Sequence, residues 1–305
     1  MRGYQPKKYR VKALSLGGRK GQLFKSGDIV SEFDFTSGNA VKLVQSGFLE
    51  KIGASNGQSI AFKTDHKIKL VIGTMMWKRF DLFQLWCDHI KRLQKECPEI
   101  EIIPISVGSE GSASKSICDS NDVFYMEHAN LPLRNKANAR LTFAKQFNPD
   151  YILFLGSDDI ISTSLLKEYI HHMLKGVHII EVMDLYYFDR ITKQSAYCKG
   201  YTSRRRLNEP MAVARCISKF VANEFDWKLW TTNRNSSPDA NINSNLRSTD
   251  FSNARITIKD KHLVLDIKGE GINSFKPNKD NWELIDTKKI GEFLPLIEYQ
   301  KLLKV

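Results

Sequence analysis

Two adjacent carboxylates, Asp158 and Asp159, follow the apolar run Tyr151-Ile-Leu-Phe-Leu155 inside the segment Pro149 to Ile161. Side by side, such groups repel one another and resist ionisation unless a cation lies between them. Hard carboxylate oxygens suit Mg2+ or Mn2+, whose coordination shells are commonly completed by substrate phosphates. The pair therefore points to a metal-bridged phosphate ligand. A plainer alternative is a helix cap, since Asp is a good N-cap and a helix begins near Ser164.

The surrounding sequence supplies elements that would hold these acids at an edge. Tyr151 to Leu155 reads as a strand buried on both faces of a parallel sheet, and open α/β sheets collect ligands beyond the carboxyl ends of their strands. Upstream, Leu131 to Lys145 places Lys136, Asn138 and Arg140 at the start of an amphipathic helix, with Ala137, Leu141 and Ala144 as its apolar stripe. Ile68 to Arg79 is a strand ending in a turn. The helix after it points Leu82, Leu85, Trp86, Ile90 and Leu93 inward. A second strand, Ile100 to Val107, ends in Gly108-Ser-Glu-Gly-Ser112.

This order of strand, helix, strand, polar turn, basic helix and acid-tipped strand resembles the nucleotide-sugar-binding half of glycosyltransferases with the GT-A fold, in the family-2-like branch. The resemblance covers residues 67–165, and the rest of the chain more loosely. It implies an α/β, Rossmann-like mixed sheet flanked by helices. It also implies roles by position. Thr74 matches the turn that seats base and ribose, and Glu110 the acid that recognises the base. Lys136 and Asn138 match a lysine and an asparagine near the donor. Asp158 matches the last acid of a metal-binding Asp-x-Asp, with Asp159 following it. Gly156 stands where the first acid is expected, so a further metal ligand has to come from Asp159, from water or from the C-terminal half.

The C-terminal half carries weaker echoes of the same family. Glu209 to Lys219 is similar to a small-residue and Arg-x-x-Ser-Lys stretch beside the acceptor. Phe225-Asp-Trp-Lys-Leu-Trp230 precedes a polar loop ending in Ser237-Pro-Asp239, and the resemblance implies Asp239 as general base. The alternative for Asp239 is an ordinary N-cap before Ala240. Lys261 to Asn273 is a short strand ending in glycines, from which Lys268 reaches phosphate, while His262 stays unassigned. The implied activity is metal-dependent transfer of a hexosyl or pentosyl group from a nucleotide-diphosphate sugar to a hydroxyl.

Charge separates the possible acceptors. The net charge is +12, and Met1 to Gly27 holds eight Lys and Arg with no acid. Such a segment tracks a phosphate backbone, is a solvated tail, or meets an acidic protein. Arg204, Arg205 and Arg206 form a second basic cluster. DNA carrying a hydroxymethylated base, as modified by bacteriophage-encoded enzymes, fits this balance; a surface glycan or lipid-linked precursor fits the wider family. A non-catalytic virion or scaffold binding module is a third reading, with Gly156 marking lost metal affinity. A nucleotidyltransferase fits less well, because Thr74-Met-Met-Trp-Lys-Arg79 lacks the glycines of a phosphate loop.

Domain organisation follows from composition. Residues 1–52 read as a small basic β-rich module, similar to accessory segments of bacteriophage proteins, with strands from Tyr9 to Leu16, around Gln22 to Phe24 and from Ile29 to Phe35, and a helix over Asn39 to Ser46. Residues 53–66 form a linker, and 67–305 the main domain, divided into a donor half (67–165) and an acceptor half (166–305). Five scattered cysteines offer neither zinc spacing nor a disulfide framework. No stretch of about 18 apolar residues is present and the N-terminus lacks the apolar core of a signal peptide, so the expected location is cytoplasmic, or the host cytoplasm for a virus-encoded chain.

Overall fold

The computed structural model describes residues 67–204, 206–231, 238–247, 249–269 and 281–305, together with five short strands before residue 53. The chain divides into two compact units, Met1–Ser59 and Ile60–Val305. In the first, β1 (Lys8–Val11) pairs antiparallel with both β4 (Ile29–Ser31) and β5 (Leu49–Ile52), and β2 (Ser15–Gly17) pairs with β3 (Leu23–Lys25). The single strand expected from Tyr9 to Leu16 is thus two strands in two separate sheets. The helix expected at Asn39 to Ser46 and the linker at 53–66 lie outside the described residues.

The second unit contains the expected mixed sheet flanked by helices. Four neighbouring strands of it run parallel, out to the edge at β8: β6 (Lys69–Met75), β7 (Glu101–Gly108), β8 (Phe124–Glu127) and β9 (Tyr151–Phe154). β7 and β8 step away on one side of β6, whereas β9 returns to the other side. The order in which strands are added therefore reverses between the parallel neighbours β6 and β9, which is where open α/β sheets form their ligand crevice. β14 (Arg215–Ser218), β11 (Ile179–Val182) and β15 (Asn253–Ile256) extend the sheet beyond β9 to seven strands.

Two apolar cores cover the two faces. On one, α1 (Phe80–Glu96) buries the inward residues expected of it, and Phe83 and Trp86 stack with centroids 5.5 Å apart. α2 (Ser112–Asp119) and α4 (Thr163–Leu174) add to this face. On the other face lies α3 (Leu133–Lys145), burying Ala137, Leu141 and Ala144, with α5 (Lys219–Glu224) and α6 (Pro238–Arg247) beside it. All five cysteines are buried and free. Among the described residues, no helix is long and apolar enough to cross a membrane.

A second sheet of five strands was not legible in the sequence. β10 (Asp159–Ile161) forms its edge, followed by β16 (Val264–Lys268), β12 (Leu185–Asp189), β13 (Ser195–Cys198) and β17 (Trp282–Ile285). The short helices α7 (Lys288–Gly291) and α8 (Leu296–Lys304) close the chain. β9 and β10 are nearly contiguous in sequence, yet they belong to different sheets. The turn Leu155 to Asp158 between them ends in one acid and leads directly into the other, Asp159 at the start of β10.

Candidate functional site

Asp158 and Asp159 do not cap the following helix. α4 begins at Thr163 and is capped by Ser162, whose Oγ accepts from the Leu165 amide at 3.2 Å. The acids are held instead by the turn after β9. The Gly156 amide donates to Asp159 Oδ2 at 2.6 Å. A Cβ on Gly156 would collide with that same oxygen and come within 3.0 Å of Asp158 Oδ1. A side chain in place of the glycine that stands at the first acid of the expected motif would therefore have to displace the remaining acids from where they are folded.

Asp158 is met by a cation from the neighbouring strand end. Lys78 and Arg79 both adopt left-handed backbone, with φ of 53° and 62°, a conformation that is uncommon for residues with a side chain. This turn aims Arg79 across the gap between β6 and β9, and its Nη1 donates to Asp158 Oδ2 at 2.5 Å. Both side chains are largely buried. Arg79 is also the N-cap residue of α1 and provides no side-chain cap to it.

A third carboxylate completes the cluster. Antiparallel pairing of β10 with β16 sets Asp266 directly opposite Asp159. Asp266 Oδ2 is 2.6 Å from Lys268 Nζ, two residues along the same face of the strand, while its Oδ1 is buried and has no partner. Burial, then Asp266 and Asp158, holds the Asp159 carboxyl well above the usual carboxylate range. Burial also pushes Asp266 up to about 6, with Asp158 adding to the rise and Lys268 opposing it. Burial works against charge on Lys268, but the facing Asp266 outweighs it and the lysine is raised.

These groups line one cavity of about 290 Å3. Asp158, Asp159, Asp266 and Lys268 form its polar side. Met75, Phe154, Trp230 and Ile242 contribute an apolar wall, and Ala212 and Val213 a small-residue one. Arg140 reaches the cavity from α3 and is almost fully buried. Its guanidinium lies 4.7 Å from the Phe154 ring centre and 5.5 Å from that of Trp230, and its Nη1 donates to the Gly73 carbonyl at 3.3 Å. Burial lowers it to about 10, opposed by Asp159. Arg215, also in the wall, is neutralised from behind: its Nε donates to Glu181 at 2.7 Å, and Nη2 donates to Asn243.

The residues inferred from resemblance divide between this cavity and its surroundings. Asp158, Asp159 and Lys268 are brought together. Thr74 is not, because strand alternation places it on the face opposite Met75, buried and with its hydroxyl unpartnered. Glu110 sits in the turn after β7 and accepts from the Ser109 and Ser114 hydroxyls at 2.9 and 2.8 Å. Lys136 is fully buried and donates to the Met76 carbonyl, Ser109 Oγ and Asn130 Oδ1 at 2.6, 3.0 and 3.1 Å. It fastens the turns after β6 and β7 to the segment before α3. Burial lowers its pKa, with Glu110 and Glu127 opposing. Asn138 clamps Trp230, donating to its carbonyl at 2.8 Å and accepting from its amide at 3.1 Å.

Asp239 is the second residue of α6 and so not its cap; its side chain lies outside the described residues, while Ile242 one turn later lines the cavity. His262 is 2.9 Å from Ser164 Oγ, at the end of β16 away from the acids. Arg206 donates to Glu209 at 2.8 Å and stacks 3.5 Å from the Tyr201 ring centre; Arg204 is exposed, and Arg205 lies outside the described residues. Neither Arg204 nor Arg206 lines the cavity. Sequence reasoning missed Arg79, Asp266 and Trp230 as site residues. The signal for Asp266 was present: an acid two residues before Lys268 in an otherwise apolar strand shares a face with it.

Among the described residues, no three His, Cys, Asp or Glu side chains gather closely enough to cage a metal ion on their own. The donor set is of the open kind that Mg2+ and Mn2+ complete with phosphate and water. One observation fits such an ion: the buried, partnerless Asp266 Oδ1.

Residues 88–239 match the family described as Glycosyl transferase family 2. No curated protein matches the chain. Among solved structures, the chain is similar to the inositol-1-phosphate CTP transferase from T. maritima, with 12% identity, coverage of 78% of this chain and 96% of that one, and a TM-score of 0.46. It is similar to S. aureus TarS 1-349 with 12% identity, coverage of 66% and 60%, and a TM-score of 0.43. A 4-diphosphocytidyl-2C-methyl-D-erythritol synthase from Anaerococcus prevotii gives 12% identity, coverage of 63% and 87%, and a TM-score of 0.40.

Proposed function

Starting from a GT-A-like α/β fold with a glycosyl transferase family 2 match across its middle, we propose that the chain moves a sugar from a nucleotide-diphosphate donor to a hydroxyl acceptor. The observation that supports this reading is the cluster of Asp158, Asp159 and Asp266 with Lys268 at the crevice between β6 and β9. Carboxylates of this cluster, with phosphate and water completing the shell, would hold Mg2+ or Mn2+, which when bound supplies positive charge to the departing diphosphate. Lys268, kept charged by its carboxylate neighbours, would bind the diphosphate from the second sheet. The apolar wall of Phe154 and Trp230 would orient the sugar and exclude water. Asp239, on the helix that brings Ile242 into the wall, is the general base proposed to take the acceptor proton.

Calorimetric titration of nucleotide diphosphates and their sugars with Mn2+ or Mg2+ tests the donor site. One nucleotide should bind only with metal, and Asp158→Ala should weaken it at least about tenfold, the loss of one charged contact. Absence of binding across the panel would sink the transferase reading and favour a binding module. The basic segment Met1 to Gly27 gives one reason to retain modified DNA beside glycans as acceptor. Counterion release makes DNA binding fall steeply with salt, whereas binding of a neutral glycan should hold constant.

A further inference from the structure

Arg79 is placed as no purely structural residue needs to be. It leaves the helix end it precedes without a side-chain cap, sits in a left-handed pair with Lys78, and spends its guanidinium on Asp158. Its Nε is buried and has no partner. Two consecutive non-glycine residues at positive φ carry a conformational cost, and where such outliers persist they cluster at ligand clamps and switch regions. The turn they form is the carboxyl end of β6, facing the carboxyl end of β9 across the crevice. Asp158, the acid that Arg79 covers, belongs to the cluster read above as the cation and diphosphate site.

A guanidinium at 2.5 Å on a carboxylate and a divalent ion on that same oxygen exclude one another. A diphosphate, in turn, is a better partner for a planar guanidinium than one carboxylate oxygen, because it offers several oxygens in a fork-shaped array. We propose that Arg79 is a donor-diphosphate ligand held in reserve on Asp158: it neutralises the acid while the site is empty, yields Asp158 to the arriving cation, and swings onto the diphosphate. This inference rests on the donor-site reading of the preceding section. It makes Arg79 a competitor of the metal and a partner of the phosphate, so its removal should move the two affinities in opposite directions.

The test uses the full chain and two probes, Mn2+ alone followed by electron paramagnetic resonance, and inorganic pyrophosphate titrated calorimetrically at saturating Mn2+. Arg79→Gln should bind Mn2+ about tenfold more tightly than the wild type, as expected for removing one positive charge from a partly buried carboxylate cluster. It should bind pyrophosphate about tenfold more weakly. Arg79→Lys retains the charge, so its Mn2+ affinity should stay near that of the wild type, and its pyrophosphate affinity should fall between the other two. Mn2+ affinity that is unchanged or weaker in Arg79→Gln, with pyrophosphate still bound by the wild type, overturns the reserve-ligand role and leaves the donor site standing. Failure of the wild type to bind either probe overturns both. Should Arg79→Gln not fold, the inference stands or falls on the Arg79→Lys pyrophosphate affinity, which would equal that of the wild type if the guanidinium were only structural.

Discussion

At the scale of single residues, burying three carboxylates around one cavity costs stability where they are ionised. The Asp159 and Asp266 carboxyls are raised above their unfolded values, so the folded state favours their protonated forms. Their contribution to stability is full below about pH 4, the unfolded carboxylate range. It is lost as the pH climbs through the folded value, about 6 for Asp266. Asp159→Asn retains an oxygen for the Gly156 amide and removes one charge. Its melting temperature relative to the wild type should therefore increase from pH 5 to pH 8, and a difference that is flat or opposite in sign would refute the burial argument. Gly156→Ala tests the turn itself. The collision with Asp159 should cost roughly 1–3 kcal/mol, the usual penalty of overpacking, read from denaturant midpoints, and should abolish nucleotide binding. The two adjacent acids were legible because they are neighbours in sequence. Their partners were not, because Arg79 and Asp266 reach them only through sheet order and strand register.

At the scale of elements, the parallel core was readable because its signals are long and periodic. β6, α1, β7, α3 and β9 fall where alternating, helical and continuous apolar patterns put them. The five-stranded sheet escaped because its strands are three to five residues long and too short to show a period. Tyr151 to Leu155 reads as a strand with the acids following it, and β9 falls there; the structure adds that the chain crosses at the acids into β10 of the other sheet. Lys136 and Asn138 show how position alone can mislead about contact. Both lie on α3 beside the crevice, and both side chains are committed to holding loops. Asn138→Ala should cost about 1–2 kcal/mol, the penalty of unmaking partly buried hydrogen bonds to the Trp230 backbone. Urea denaturation would measure that loss, and a change within error would show that the clamp carries no stability.

At the scale of the whole molecule, both apolar cores and every cavity residue among those described lie in the unit Ile60–Val305. A fragment of residues 60–305 should consequently fold and bind the same nucleotide within about twofold of the full chain, since every described residue that lines the cavity belongs to it. Salt-sensitive binding to DNA, if the full chain shows it, should disappear from the fragment. The pairing of β10 with β16 also has a kinetic consequence. Asp159 and Asp266 are separated by roughly a hundred residues of chain, and closing so long a loop forfeits entropy before any contact repays it. The parallel block and its helices can assemble while the opening of the crevice still lacks Asp266 and Lys268. During refolding, far-UV circular dichroism should therefore recover ahead of nucleotide binding, and a ribosome-bound chain halted before Val264 would present Asp159 without Asp266 opposite it. Competence for ligand should be the last property this chain acquires.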